Sequence, residues 1–296
     1  MVQSALLLVD KPAGFTSHDV VAKCRKILGT RKIGHAGTLD PMATGLLVLG
    51  VEAGTKLLTF IVGDDKTYEA TIRLGQSTVS DDCEGEILTT AATESLRAIT
   101  DEQISEVLKK FLGKIQQVPS SVSAIKVAGE RAYDLVRAGE EVNLKAREVE
   151  VQKFEIVGEI RRETEFIDFD VIVDCSSGTY IRALARDVGN QLGIGGHLTS
   201  LRRTRIGKFS VAEAQSLDAI VTEPKLLELV EAASSTMETR LVSEEQEVKL
   251  RHGKRFEFEL NGTTALVRDN NLVAIVEPFE GDKLKSLVVF PEVLNG

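Results

Sequence analysis

Asp40 is the one acidic residue of RKIGHAGTLDPMATGLLVLG, residues 31–50, a stretch that combines a glycine-rich turn with an apolar run. An ionised carboxylate is costly to bury unless a cation or hydrogen bonds stabilise it. Asp-Pro in a glycine-rich loop is often a turn that faces solvent. His35 five residues earlier, and the apolar run directly after, favour the other interpretation, a shielded carboxylate at the rim of a sheet.

A shielded carboxylate needs a cation, and Arg182 in CSSGTYIRAL, residues 175–184, is the candidate. Gly178 permits a tight turn, which places Arg182 in the first turn of the next helix, beside Tyr180. An opposite charge within about 4–6 Å keeps an aspartate ionised, as a nucleophile requires. The alternative is an amphipathic helix start whose arginine extends towards solvent.

The chain has three tyrosines and no tryptophan, so the positions of its aromatic rings are informative. Tyr68 and Tyr180 fall in segments that could line one cleft. Stacking of a nucleic-acid base on an aromatic ring is worth roughly 1–3 kcal/mol, so both rings suit a base. Packing in the core is the alternative for each ring taken singly.

The net charge of −9 argues against non-specific binding to a polyanion, but the charges are unevenly distributed. Acids crowd STVSDDCEGE and LVSEEQE, whereas HLTSLRRTRIGK at residues 197–208 contains none. We call its four cations the basic strip: Arg202, Arg203, Arg205 and Lys208. The strip could meet phosphates, and a solvated loop of scattered charge is the alternative.

Several classes of site lack their motifs. The chain has no GxGxxG after a strand and no GxxxxGK[ST], which leaves dinucleotide and P-loop sites unsupported. The three cysteines, Cys24, Cys83 and Cys175, are far apart, so we expect no disulfide and no zinc site. We therefore expect no metal and no cofactor. With no apolar run long enough to span a bilayer and no secretion signal, we expect no membrane contact and a cytoplasmic location.

Periodicity predicts a mixed chain of helices and strands. We expect a strand in ALLLV, a helix in SHDVVAKCRKILG capped by Ser17, and a loop in GHAGTLDPMATG. The alternation in KTYEATIRLG predicts a strand that places Tyr68, Ala70, Ile72 and Leu74 on one face. Further expectations are a helix capped by Thr100 with Gln103, strands near 148–157 and 165–174, and a junction near 233–242. Short strands, RFEFEL, TTALVRD, NLVAIVEPF and LKSLVVF, predict a small β-rich tail.

Six blocks in this order closely resemble the TruB family of tRNA pseudouridine synthases, over roughly residues 5–215: LLLVDKPAGFTSHDVV, KIGHAGTLDPMATGLLVLGVEAGTKLL, KTYEATIRLGQSTVSDDCEG, SSVSAIKVAGERAYDLVRAGEEV, CSSGTYIRALARDVG and HLTSLRRTRIGKF. The resemblance implies an α+β fold. Its catalytic domain, residues 1–238, is built around a long mixed, largely antiparallel sheet. A small C-terminal β-rich, PUA-like domain spans 239–296.

The same resemblance implies roles for individual residues. Asp40 resembles the catalytic aspartate and Arg182 its partner, while Tyr68 resembles the tyrosine that stacks on the target base. Further positions that match substrate-binding residues of the family are His35, which fills the space left by the departing uridine, Tyr180, and the pocket residues Lys56 and Leu201. One position departs from the family: Val122 stands in PSSVSA where many members have tyrosine.

The implied reaction is isomerisation of a uridine in the T loop of tRNA, position 55, to pseudouridine by base flipping and an aspartate-dependent, cofactor-free mechanism. We expect the basic strip to contact the RNA backbone of the T arm, and we expect a monomer with no obligate protein partner. Two alternatives remain: a tRNA-binding folding helper without required chemistry, and a small-molecule enzyme that uses Asp40 and His35 as an acid–base pair.

Overall fold

The computed structural model describes residues 2–121, 126–127, 130–131 and 144–291. Its α-helices are α1 (Ser17–Leu28), α2 (Leu58–Ile61), α3 (Thr93–Ala98), α4 (Asp101–Lys109), α5 (Ile181–Leu192), α6 (Leu217–Thr222), α7 (Leu229–Thr236) and α8 (Glu244–Arg251). Short 3₁₀ helices span Glu52–Lys56 and Val211–Glu213. Among these described segments, no helix combines the length and the apolar content needed to cross a membrane.

The strands are β1 (Ala5–Lys11), β2 (Ile33–Ala36), β3 (Thr44–Val51), β4 (Lys66–Leu74), β5 (Gln76–Thr78), β6 (Ile87–Thr90), β7 (Gly113–Gln117), β8 (Lys126–Val127), β9 (Glu130–Arg131), β10 (Arg147–Arg162), β11 (Ile167–Cys175), β12 (Gly196–Ile206), β13 (Phe209–Ser210), β14 (Gln215–Ser216), β15 (Leu226–Glu228), β16 (Glu238–Leu241), β17 (Thr264–Arg268), β18 (Asn271–Pro278) and β19 (Leu284–Val289). Contacts divide the chain into two compact units. The first contains residues 1–41, 45–63 and 206–296, and the second contains 42–44 and 64–205.

In the first unit, β1 pairs with several strands. It runs antiparallel to β3, with Ala5 opposite Val51 and Lys11 opposite Gly45, and it also pairs with β14 and β15. Alternate residues of β1 point to opposite faces. Leu7 and Val9 pack against apolar residues of α1 and α6, whereas Leu6 and Leu8 belong to a second core.

The C-terminal strands form a separate sheet in the order β16-β17-β18-β19. One part of this sheet packs on Leu250 of α8. Ala265, Val267 and Ile275 belong instead to the core that contains Leu6 and Leu8. The β-rich tail is therefore present, and it shares a compact unit with the first strands. The expected domain boundary at residues 238 and 239 stays a prediction.

The second unit is built on strands in the order β12-β4-β11-β10-β7. The pairs of β4 with β11, β11 with β10 and β10 with β7 are antiparallel. Along β4 the buried residues alternate, and they include Tyr68, Ala70, Ile72 and Leu74, as predicted. The predicted fold class, α+β with a largely antiparallel sheet, is confirmed.

Local features confirm some expectations and correct others. Thr100 and Gln103 form the predicted capping box at α4. At α1 the cap is Thr16, which pairs with Asp19, and Ser17 is instead the first helical residue. Cys24 and Cys175 are buried, while Cys83 is exposed.

Segment boundaries also differ from those expected. The loop expected in GHAGTLDPMATG begins later, because residues 33–36 pair with β3 as strand β2. RFEFEL forms one isolated bridge, Glu257 with Lys283, and no strand. The junction expected near 233–242 is occupied by the end of α7 and by β16, which pairs with β17.

Candidate active site

Asp40 lies half-buried in the loop between β2 and β3, and the backbone on its C-terminal side is held by a buried lysine. The side chain of Lys11, at the end of β1, has no exposed surface. Its ammonium donates to the carbonyl oxygens of Pro12 at 3.0 Å, Phe15 at 2.6 Å and Pro41 at 3.1 Å. An ammonium group has three N–H donors, so these three carbonyl oxygens provide a partner for each of them.

The backbone on the N-terminal side of Asp40 is held by Ser17. The N–H of Leu39 donates to the Ser17 hydroxyl at 2.9 Å, and that hydroxyl lies 3.2 Å from the Leu39 carbonyl oxygen. The N–H of Gly14, where φ is +78°, donates to Pro41 at 2.9 Å. The backbone on both sides of Asp40 is therefore held by hydrogen bonds to other segments of the chain.

His35 and Lys56 lie in the same compact unit and differ in their surroundings. His35 is on β2, opposite Leu49, and its ring is 5.5 Å from that of His18 in an edge-on arrangement. Lys56 is exposed, and its ammonium donates to the Val289 carbonyl at 2.7 Å. This contact of Lys56 lies in the C-terminal sheet, and its expected role in the pocket stays a prediction.

Tyr68 is held by the strands around it. It lies on β4, opposite Val173 of β11, and is 7% exposed. The preceding residue, Thr67, accepts a hydrogen bond from Arg205 Nε at 2.8 Å. The ring is held by the sheet, and its expected role in stacking on a base stays a prediction.

Tyr180 is the N-cap residue of α5. Its main chain is held by the side chain of Gln117, which sequence reasoning did not identify. Gln117, at the end of β7, is 2% exposed. Its amide nitrogen donates to the Tyr180 carbonyl at 3.1 Å, and its amide oxygen accepts from the Tyr180 N–H at 2.9 Å. The turn before it is the tight one predicted, with φ of +89° at Gly178. No sequence signal distinguishes this glutamine.

Arg182 follows in the first turn of α5, as predicted, and forms a buried ion pair with Asp82. Its Nη1 lies 3.2 Å from Asp82 Oδ2 and donates to the Ser80 carbonyl at 2.7 Å. Both charged side chains are 4% exposed. Asp82 also accepts from the Ser80 hydroxyl and from the Glu84 N–H. Removing one partner of a buried ion pair strongly destabilises a protein, because the other charge is left buried without compensation.

Sequence reasoning missed Asp82, because the acids of STVSDDCEGE indicated only an acidic surface. Its neighbour Asp81 pairs with Arg186, one turn after Arg182, at 3.1 Å. Burial raises the pKa of Asp81, and the charge of Arg186 opposes that shift. The sequence alone does not relate these two acids to Arg182 and Arg186, because the two segments are far apart in the chain. The expected pairing of Asp40 with Arg182 stays a prediction.

The basic strip lies on and just after β12, and its members differ in exposure. Arg202 and Arg205 are half-buried, and Lys208 is exposed. Arg205 also lies 3.6 Å from Asp174. Arg203 is 1% exposed, so its side chain offers almost no surface to a phosphate, and the expected RNA contact at that position has no support from the structure. Leu201 is buried, at 6% exposure, and its expected role in the pocket stays a prediction.

A second buried lysine, Lys66, lies at the start of β4. Its ammonium donates to the Asp64 carbonyl at 2.6 Å. Burial, followed by the positive charge of Arg203, lowers the pKa of Lys66 to about 8. In the described part of the chain, no three His, Cys, Asp or Glu side chains are grouped as metal ligands. Val122 lies outside the described residues.

Comparisons with known proteins agree with these features. Residues 25–181 match the TruB family pseudouridylate synthase (N terminal domain), and residues 182–243 match the tRNA pseudouridylate synthase B C-terminal domain. The chain is 52% identical to tRNA pseudouridine synthase B of Leifsonia xyli subsp. xyli, over 98% of each chain. It is 54% identical to tRNA pseudouridine synthase B of Rhodococcus jostii, over 98% of this chain and 94% of that one.

Solved structures support the fold. An H/ACA RNP bound to a substrate RNA containing 2′-deoxyuridine gives a TM-score of 0.72 at 23% identity, over 98% of this chain and 86% of that one. A Cbf5-Nop10-Gar1 complex gives 0.70 at 25% identity, over 98% and 85%. The family models and the full-length relatives show that this chain belongs to the TruB family of pseudouridylate synthases, and is thus an isomerase.

Proposed function

We propose that this chain converts a uridine in the T loop of tRNA, position 55, to pseudouridine. The supporting observation is its identity of 52% over 98% of its length to a tRNA pseudouridine synthase B. The RNA substrate would contact Arg202, Arg205 and Lys208 with its backbone, and the T arm would be the part gripped. The chain acts on its own, as a monomer in the cytoplasm, and needs no obligate protein partner.

The proposed chemistry uses the fixed carboxylate of Asp40. The bond from C1′ of the ribose to N1 of the base breaks, the base turns within the site, and a bond forms from C1′ to C5. The hydrogen at C5 leaves to water as a proton, and N1 gains a proton. A carboxylate can serve as a nucleophile or as a base near the sugar. The clamps at Leu39 and Pro41 hold it for that step.

The target uridine must leave its stack before it reaches Asp40, at a cost of a few kcal/mol. We propose that Tyr68 receives the flipped base by stacking, which offsets this cost. His35 fills the space that the uridine leaves in its loop. Tyr180 and Leu201 complete the walls of the site, and Arg182 stabilises the negative charge of Asp40.

Release of tritium from C5 tests this proposal. An unmodified tRNA transcript labelled at C5 of uridine is incubated with the protein in the presence of a chelator. We expect tritium in water with the parent protein and none with Asp40→Asn, measured at equal RNA occupancy. Asparagine is nearly the size of aspartate and lacks its charge, so this variant tests the charge.

The same experiment separates the proposal from the alternative of a tRNA-binding folding helper. Steady release from Asp40→Asn would remove Asp40 from the chemistry. Binding of the transcript by the parent protein without any release would favour the helper. Mapping the product nucleotide then tests the position, because pseudouridine elsewhere than in the T loop contradicts position 55.

A further inference from the structure

A second cationic surface lies on α1, in the same compact unit as Asp40. Residues 20–34 contain five cations and no acid: Lys23, Arg25, Lys26, Arg31 and Lys32. Two of these are engaged within the protein. Arg25 donates to the Ile33 carbonyl at 2.9 Å, and Lys32 lies 3.4 Å from Glu52. Lys23 and Lys26 are exposed and, within the described residues, form no ion pair with a carboxylate.

Lys23 and Lys26 are three residues apart, so they project from one face of the helix. This face lines a groove of about 410 Å³ with residues of the preceding loop. The lining is Gly14, Phe15, Asp19, Ala22, Lys23 and Lys26. The ammonium of Lys23 lies 5.0 Å from the centroid of the Phe15 ring. We call this groove with its two lysines the α1 basic face.

The α1 basic face is joined directly to the loop that carries Asp40. Gly14, which lines the groove, donates its N–H to the carbonyl of Pro41, the residue after Asp40. At the start of α1, the His18 ring contacts that of His35. With a rise of 1.5 Å per residue, Lys23 and Lys26 lie about 8 and about 12 Å along the helix from His18. A polymer bound at Asp40 can therefore reach both lysines.

The one acidic residue of the α1 basic face, Asp19, is hydrogen-bonded to Thr16 at the N-terminus of α1. Its carboxylate accepts hydrogen bonds from the Thr16 N–H at 2.9 Å and from the Thr16 hydroxyl at 2.6 Å. Those bonds lower its pKa, so Asp19 is ionised and bound to the cap. Lys23 and Lys26 keep two positive charges for a partner. On a chain of net charge −9, such a face favours a polyanion of regularly spaced charge.

We propose that the α1 basic face binds backbone phosphates of the same RNA whose uridine reaches Asp40. This inference rests on the proposed function, and it adds a contact separate from the basic strip. The Phe15 ring and Gly14 leave room for the sugar–phosphate chain to approach the helix, and the lysines neutralise phosphates. Lysine contacts of this kind release counterions, so affinity depends on salt.

The test compares Lys23→Ala/Lys26→Ala with a matched control, Lys109→Ala/Lys110→Ala. The control removes the same charge from two exposed lysines at the end of α4. Binding of an unmodified tRNA transcript is measured over a series of salt concentrations. We expect the α1 variant to bind roughly tenfold more weakly, and the slope of log K against log salt to fall by about 1.4–1.8, for two lost phosphates. The control keeps the parent slope.

A charge-preserving variant, Lys23→Arg/Lys26→Arg, should restore the parent slope, because arginine also neutralises a phosphate. An unchanged slope in the alanine variant, or an equal fall in the control, overturns the proposal. Pseudouridine formation by the parent protein is measured on the same transcript. No product there overturns the proposed function, whereas product with an unchanged slope overturns the α1 basic face alone.

Discussion

The ammonium of Lys11 lies 3.1 Å from the carbonyl oxygen of Pro41, so a fully buried lysine holds the residue next to Asp40. The same ammonium binds the carbonyls of Pro12 and Phe15, so one cation ties the end of β1, the loop before α1 and the Asp40 loop together. These contacts explain how the backbone of a turn rich in small residues can be held next to Asp40.

Lys11→Met should test this clamp, because methionine fills similar space without donors. Three carbonyl oxygens lose a charged partner, so we expect the free energy of unfolding to fall by about 3 kcal/mol or more. Turnover should fall more than tRNA affinity, since the loop of Asp40 loosens. Urea unfolding and single-turnover assays measure the two effects, with Lys109→Met as the control for an exposed lysine. Parent-like stability in Lys11→Met would contradict the clamp.

The differing burial within the basic strip predicts different effects of its arginines. Arg202→Ala with Arg205→Ala should weaken tRNA binding and reduce the salt slope by about 0.7–0.9 for each lost phosphate contact. Arg203→Met should lower the free energy of unfolding and leave the salt slope unchanged, because Arg203 is 1% exposed. Salt-dependent binding and urea unfolding of both variants check this. A reduced salt slope in Arg203→Met would show that Arg203 contacts a phosphate of the RNA.

The lowered pKa of Lys66 predicts that the free energy of unfolding depends on pH. Its pKa is lowered from 10.5 to about 8 in the folded chain. Below pH 8 the ammonium is charged in both states. Between the two values the unfolded chain holds more protons, so the free energy of unfolding rises with pH, by at most about 1.4 kcal/mol per unit.

Lys66→Met lacks this titration, so the parent protein should gain stability relative to the variant as pH rises from 8 towards 10.5. Urea unfolding of both proteins across that range measures the difference, in which titrations common to both cancel. A difference that is constant with pH would show that Lys66 does not titrate there.

The sequence predicted those elements whose cause is local. The alternation in KTYEATIRLG and the capping box of Thr100 with Gln103 act over a few residues, and the structure has both. The cap of α1 was placed one residue late, because Thr16 and Ser17 are both good caps and the contact of Ser17 with Leu39 is 22 residues away.

The sequence predicted several residues of the site, but it did not predict which residues hold them in place. Tyr180 and Arg182 could be placed at a helix start from GTYIR alone. Gln117 and Asp82 could not be assigned to them, since their contacts with Tyr180 and Arg182 join residues 63 or more positions apart. The burial of Arg203 could not be predicted either. Alternate residues of a strand point to its buried face, and a charged residue can lie there when surrounding groups provide hydrogen bonds or an opposite charge.

The buried pair of Arg182 and Asp82 gives the last prediction. Arg182→Met should lower turnover far more than tRNA affinity, because Arg182 is proposed to stabilise the charge of Asp40. Asp82→Asn should also lower turnover, and should lower the free energy of unfolding by about 3 kcal/mol, since a buried guanidinium loses its carboxylate. The guanidinium can bind two acids, because it carries five N–H donors.

The losses of stability caused by Arg182→Met and Asp82→Asn should not be additive. In the double variant neither charge is left unpaired, so the loss of stability should be smaller than the sum of the single losses. The matched control is a second cycle with Arg97→Met and Asp218→Asn, two positions outside the pair of Arg182 and Asp82. The losses of stability in this control cycle should be additive. Urea unfolding and single-turnover rates of the four members of each cycle measure this coupling. Additive losses for Arg182 and Asp82 would show that the pair is not a unit, and near-normal turnover of Arg182→Met would remove it from the support of Asp40.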